Sequence, residues 1–268
     1  MPRLIAESGQ QFSRAIRDLC RTACDFVYPP VCPLCARDLP RTAASAASAS
    51  RFCAGCREWI APPIEQTCRR CSAPVGPFLE TAAGCIHCRR DRFAFERVLA
   101  LGVYQNELKA VCRKVKRPGG RIIASAAAGL LWDRIGAELM AERIDCVIPV
   151  PHHWTQRIAR RHFASSCVAE VLARRLRSEF CARILAKVRR TPPQSGLNAT
   201  ARRKNLRQAF RAGSRSALAG RSVLLVDDIL TTGTTAHEAS KALRQAGADR
   251  VVVAVLARGL GERGTVRV

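Results

Sequence analysis

The chain has 268 residues, 48% of them hydrophobic and 25% charged, enough for one full α/β domain with its own core plus a small module. Its 45 Lys or Arg against 21 Asp or Glu give a formal charge of +24, so the expected ligands and partners are anionic. No apolar run approaches the length of a membrane span, and none is expected.

In chain order, residues 1–28 are predicted to form an amphipathic helix on which Cys20 and Cys24, one turn apart, pack rather than ligate. The first residues lack the long apolar region of a signal peptide, so a cytoplasmic, reducing compartment is expected. Four Cys-x-x-Cys pairs follow: Cys32 and Cys35, Cys53 and Cys56, Cys68 and Cys71, Cys85 and Cys88. Each pair can present two thiolates to one metal through a tight knuckle, and two pairs complete a tetrahedral zinc site. In a reducing compartment this spacing favours zinc over disulfides. The intervals suit two consecutive four-cysteine ribbons within residues 29–93, the first pair joining the second and the third joining the fourth. With every ligand a thiolate, neither site keeps an open position for water or substrate, so both Zn2+ ions are expected to be structural. His87, inside the last knuckle, reads as a bystander. Residues 41–50 form a low-complexity Ala/Ser stretch, a loop of the first ribbon. Eight thiolates around two Zn2+ would bring the formal +24 down to about +20.

Residues 94–268 read as an α/β domain, a parallel sheet with helices on both faces. The predicted strands are 97–103, 145–150, 184–189, 223–227 and 250–257. Cys112, Cys146, Cys167 and Cys181 stand alone in apolar surroundings and are expected as small core residues. Residues 104–120 form an amphipathic helix ending at a basic Pro-Gly turn. The second strand runs into a proline-bounded turn, Val150, Pro151, His152 and His153, with Arg157, Arg160 and Arg161 on the helix beyond. From 151 to 215 there are 16 Lys or Arg and 2 Glu. That band suits a polyanionic ligand, a solvated helix face or a nucleic-acid backbone. For Arg174, Arg175, Arg177, Arg202, Arg203 and Lys204 the choice stays open, and scarce aromatics argue against a dedicated single-strand reader.

The segment 223–235 carries the most specific chemistry. A β-branched-rich apolar run behind Gly220 is the pattern of a strand buried on both faces. Asp227 and Asp228 are then expected at its carboxyl end, where open α/β sheets bind ligands. Thr231, Thr232, Gly233, Thr234 and Thr235 turn into a helix, gathering hydroxyls and backbone N–H groups at a helix N-terminus that attracts anions. Two carboxylates beside a phosphate cradle repel phosphate, and make sense if they hold sugar hydroxyls or, through water, Mg2+. The bland alternative is a turn with threonine caps.

This motif resembles the phosphoribosyl pyrophosphate (PRPP) signature of type I phosphoribosyltransferases. The resemblance implies that Asp227 and Asp228 hold the ribose hydroxyls of Mg2+-PRPP. Thr231, Thr232, Gly233, Thr234 and Thr235 would wrap the 5′-phosphate. Val150, Pro151, His152, His153 and Arg157 would form the pyrophosphate loop. The cysteine ribbons, the Pro-Val-Pro turn and residues 104–120 extend the likeness. So does the segment 191–210, with Gln194, Leu197, Arg202, Asn205 and Phe210 on a shared pattern. Over nearly its whole length the chain is similar to the ComF (GntX-like) family, in which a double zinc ribbon precedes a phosphoribosyltransferase domain. One departure is Arg161-His-Phe-Ala-Ser165, where the family usually carries Arg-Gly-Phe-Asn-Gln; losing that Gly and Asn alters the turn. The likeness implies displacement of pyrophosphate from Mg2+-PRPP by a nitrogen acceptor, with Asp227, Asp228 and Arg157 at the reacting centre. The alternative is a non-catalytic PRPP-sensing module or an adaptor of DNA uptake, its partners single-stranded nucleic acid or a competence ATPase or helicase. Nothing in the sequence names the acceptor.

Overall fold

The computed structural model describes residues 29–39, 51–79, 81–152, 164–189, 191, 205–213 and 217–260. The predicted N-terminal helix and the Ala/Ser loop at 41–50 lie outside them. In chain order the elements are α1 (Ala54–Ile60), β1 (Arg97–Val103), α2 (Asn106–Lys114), α3 (Arg121–Ala141), β2 (Cys146–Pro149) and α4 (Ala164–Leu176), followed by β3 (Glu179–Phe180), β4 (Leu185–Lys187), β5 (Phe210–Ala212), β6 (Ser222–Leu230), α5 (Thr234–Gln245) and β7 (Arg250–Arg258).

Five strands form one parallel sheet in the order β1-β7-β6-β2-β3. The two central strands, β6 and β7, carry continuous apolar runs because both of their faces are covered. Leu224, Val226, Val252, Ala254 and Leu256 point into one layer with Leu101, Leu131, Leu139 and Leu172. Val223, Leu225, Val251, Val253 and Val255 point into the other, against Ala239 and Leu243 of α5. Helices α3 and α4 thus cover one face and α5 the opposite one. The connection β2–α4–β3 runs toward one edge of the sheet and β6–α5–β7 toward the other. They part at the β2/β6 boundary, and such a switch point opens a crevice at the strands' carboxyl ends.

Three details differ from the sequence reading. The strand expected at 184–189 does not join the parallel sheet: Leu185–Lys187 pairs antiparallel with Phe210–Ala212 in a separate two-stranded ribbon. The fifth place in the sheet is taken by Glu179–Phe180, both exposed, so no apolar run announces it. β6 continues past 227 to Leu230 because β7 is long enough to pair with it, Ile229 with Ala257 and Leu230 with Arg258. Asp227 and Asp228 therefore sit within the last stretch of the strand pairing rather than beyond it.

The cysteine-rich segment is built onto the domain. Phe52, Cys56 and Ile60 enter the core of the α3/α4 face. Arg134 of α3 donates to the carbonyls of Ala61 (2.6 Å) and Pro62 (2.9 Å) and to that of Leu101, pinning the stretch between the two cysteine clusters to β1. The Val98 N–H donates to the Arg70 carbonyl at 3.1 Å, so the second cluster covers part of the open edge of β1. Cys112, Cys146, Cys167 and Cys181 are buried, as expected of core residues. Among the described residues no helix is long and apolar enough to cross a membrane.

Candidate functional site

At the carboxyl end of β6 the chain folds into a small open hollow lined by Asp227, Thr231, Thr232, Gly233, Thr234 and Thr235, among others. Gly233 makes the turn possible. Its φ of 74° lies in the left-handed region, and a Cβ there would meet the Phe93 ring at 2.9 Å. It is also the N-cap of α5, and the Thr232 hydroxyl oxygen accepts from the Thr234 N–H at 3.5 Å. The Thr232 and Thr234 hydroxyls share a hydrogen bond at 2.8 Å, which orients both at the mouth of the turn. The Gly259 N–H donates to the Leu230 carbonyl at 2.7 Å and ties the turn to the end of β7. Hydroxyls, a glycine backbone and a helix N-terminus converge there, an arrangement that suits an anion.

The two carboxylates are held differently. The Asp228 N–H donates to Asp227 Oδ1 and the Ile229 N–H to Asp228 Oδ1, both at 2.8 Å, so each acid is braced by the backbone that follows it. Lys116, from the basic turn after α2, places Nζ 2.7 Å from Asp228 Oδ2. Burial acts to strip Lys116 of its proton, but the Asp228 and Asp227 carboxylates outweigh it and hold the ammonium above the ordinary lysine range. Burial, then the adjacent Asp228 charge, pushes the Asp227 carboxyl well above the usual carboxylate range. Lys187 of β4 is depressed by burial and partly restored by Asp227. Two adjacent carboxyls, each braced by the backbone and rich in acceptor oxygens, suit vicinal hydroxyls, which donate.

A raised carboxyl binds its proton more tightly in the fold than in the unfolded chain. Its contribution to stability is full below the ordinary value of 3.8 and is lost as pH rises through the raised folded-state value. Asp227→Asn keeps the acceptor for the Asp228 N–H without the proton-linked cost. At pH 7 it is expected to stabilise the domain, read as a higher Tm for the variant than for the parent. The gain should shrink at pH 4. Equal Tm for variant and parent at pH 7 in thermal denaturation would show that burial does not hold this carboxyl protonated.

The turn predicted to face a leaving anion lies beside these groups. β2 pairs with β6 through Pro149 and Val226, and the Val150 N–H donates to the Val226 carbonyl at 2.8 Å. Val150, Pro151 and His152 therefore leave the sheet next to Asp227, across the switch point. Ser165, at the start of α4, donates its hydroxyl to the Val150 carbonyl at 3.2 Å and fixes the root of the turn. His153 and Arg157 lie outside the described residues, as do Gln194, Leu197 and Arg202. Two cations that the sequence reading gave no role, Lys116 and Lys187, are brought to the acid pair from distant segments. Only their partners reveal them.

The eight cysteines gather as two separate clusters, Cys32, Cys35, Cys53 and Cys56, then Cys68, Cys71, Cys85 and Cys88, with all Sγ atoms of each within 4.8 Å of one another. Measured pairs include Cys35–Cys53 at 3.6 Å, Cys71–Cys85 at 3.6 Å and Cys68–Cys88 at 3.7 Å. A tetrahedral site with Zn–S near 2.3 Å has sulfur–sulfur edges of about 3.8 Å, whereas a disulfide needs about 2.05 Å. The donor set and its spacing fit Zn2+. The two knuckles repeat one scheme: the Cys32 carbonyl accepts from the Ala36 N–H, and the Cys68 carbonyl from the Ser72 N–H. Ala36 and Ser72 are both left-handed, at φ 60° and 55°. Burial pushes the Cys68 thiol up, but N–H groups of Cys71 and Arg70 outweigh it and bring it to about 7, whereas burial drives the Cys71 thiol of the same cluster up to about 11. His87 is in neither cluster.

Residues 164–267 match the phosphoribosyl transferase domain family and residues 23–89 the double zinc ribbon domain family. Fold, site and cysteine clusters together define a phosphoribosyltransferase-fold protein with a double zinc ribbon. Among its relatives, Competence protein F of Haemophilus influenzae is 29% identical over 211 residues, 77% of this chain and 90% of that protein. The DNA utilization protein YhgH of Salmonella typhi is 29% identical over 242 residues, 88% of this chain and 100% of that protein. YhgH of Escherichia coli (strain K12) is 30% identical over 200 residues, 72% of this chain and 84% of that protein. The chain belongs to the ComF family.

Proposed function

We propose that the site binds Mg2+-PRPP and that the protein transfers its phosphoribosyl group to a nitrogen acceptor in the service of DNA utilization. One observation carries this: a carboxylate pair, a threonine turn at a helix N-terminus and the Val150–Pro151–His152 loop meet at a single switch point of the sheet. Asp227 and Asp228 take the ribose hydroxyls, and Thr231 to Thr235 take the 5′-phosphate. The pyrophosphate leaves toward Val150, Pro151, His152, His153 and Arg157. The bond from C1 to pyrophosphate breaks ahead of nitrogen attack, so the protein's task is to fix the sugar and neutralise the departing charge. Lys116 and Lys187 add positive charge at the same mouth. No covalent nucleophile is required. Bound zinc supplies structure only, holding residues 29–93 as a ribbon module ahead of the transferase domain at 94–268.

The test is release of pyrophosphate from Mg2+-PRPP on addition of free bases and amines. Release that needs both an acceptor and Asp228 supports transfer. PRPP bound without release across the acceptors points to the second reading, a PRPP-sensing adaptor that contacts single-stranded nucleic acid or an uptake ATPase. The basic surplus between 151 and 215 and the relatives' names favour keeping that reading.

A further inference from the structure

Arg258, the last residue of β7, is an arginine only 4% exposed. Such a charge is costly inside a protein unless its donors are met. Here they are met by backbone carbonyls. Nε donates to Cys71 at 2.9 Å, and Nη1 to Leu230 at 3.2 Å, to Thr231 and to Gly259. One end of the guanidinium thus grips a knuckle of the second cysteine cluster and the other grips the start of the phosphate turn. Four thiolates around Zn2+ leave a net charge of about −2, which would compensate the buried cation.

A second physical link runs in parallel. Phe93 packs against the second cluster, with the Arg70 guanidinium 5.7 Å from its ring centroid. The same ring lies under Gly233 at the closest approach a Cβ there would make, 2.9 Å, and stacks on Phe95 at 4.5 Å between centroids. The next residue, Ala94, donates its N–H to His237 Nδ1 of α5 at 3.1 Å. The floor of the phosphate turn is therefore the flank of the second ribbon. The first cluster is anchored elsewhere: it enters the core of the opposite face, through Phe52, Cys56 and Ile60.

We propose that Arg258 is a positioning residue that couples the second cysteine cluster to the phosphate turn, so that metal in that cluster and a sugar 5′-phosphate in the turn stabilise one another. The coupling rests on the PRPP reading of the turn. It is reciprocal by linkage, and so has a signature in the zinc site that mere structural support by Arg258 would not give.

The experiment is alkylation of the zinc-loaded full chain by N-ethylmaleimide, each cysteine followed by peptide mass spectrometry, with and without saturating Mg2+-PRPP. Binding itself is monitored in parallel by calorimetry. PRPP is expected to slow alkylation of Cys68, Cys71, Cys85 and Cys88 by about 5-fold or more, and to leave Cys32, Cys35, Cys53 and Cys56 unchanged. Arg258→Lys keeps the charge, but its three donors sit on a single nitrogen that cannot span Cys71 and the turn together. It should retain full zinc content, bind PRPP about 10-fold more weakly and lose the selective protection. Heat of PRPP binding with equal alkylation of the second cluster, or protection retained in Arg258→Lys, overturns the coupling alone. Absence of PRPP binding overturns the site reading and the coupling with it.

Discussion

Asp228→Asn is expected to weaken Mg2+-PRPP binding by roughly 10- to 100-fold, the equivalent of losing a charged hydrogen bond of about 1.5–3 kcal/mol. The direction matters more than the size. Asp228 is a negative charge beside a phosphate turn, and its removal would free the Lys116 ammonium now 2.7 Å from it. If the site read phosphate alone, neutralising Asp228 would strengthen anion binding. If the carboxylate grips ribose hydroxyls, the same change weakens it. The asparagine keeps an acceptor for the Ile229 N–H, so the fold should persist, with unchanged circular dichroism and zinc content. Tighter binding of PRPP by the variant would remove the sugar-binding role.

The second large effect is expected on metal removal. Structural zinc held by four thiolates contributes apparent binding energies on the order of 10–16 kcal/mol at neutral pH, most of it expressed as folding of the ribbon. The two clusters differ in shielding. Cys35 is exposed and Cys53 half-buried, while Cys68, Cys71, Cys85 and Cys88 are all buried. A chromogenic chelator should therefore draw zinc in two phases, the first cluster emptying before the second. Both phases should lower the domain's cooperative thermal transition, the first because Phe52, Cys56 and Ile60 enter the core of the α3/α4 face, the second because that ribbon holds the phosphate turn through Arg258 and Phe93. A single phase, or a domain whose melting is unaffected when both ions are gone, would contradict this arrangement.

Groups that act within one short segment were legible in the sequence. The Cys-x-x-Cys knuckles and the Asp-Asp to Thr-Thr turn place their atoms by local backbone geometry, so spacing alone predicts the clusters and the cradle. The buried strands β1, β6 and β7 announce themselves because covered faces demand apolar runs. What was hidden depends on distant partners. Lys116 looks like one cation among several in a basic turn until Asp228 is placed beside it. Arg258 satisfies its donors with carbonyls that every residue possesses, so no side-chain pattern marks it. β3 has two exposed residues and no periodicity. The run at 184–189 has strand composition, yet composition does not say which sheet a strand joins, and Leu185 finds its cover against the α5 face instead of a place among the parallel strands.

The central claim is that the β6 turn is a working PRPP site. Calorimetric titration of the zinc-loaded protein with Mg2+-PRPP, beside the Asp227→Asn, Asp228→Asn double variant, tests it most directly. Saturable heat in the parent that vanishes in a folded double variant is the predicted result. No heat in the parent, or equal heat in both, would contradict it.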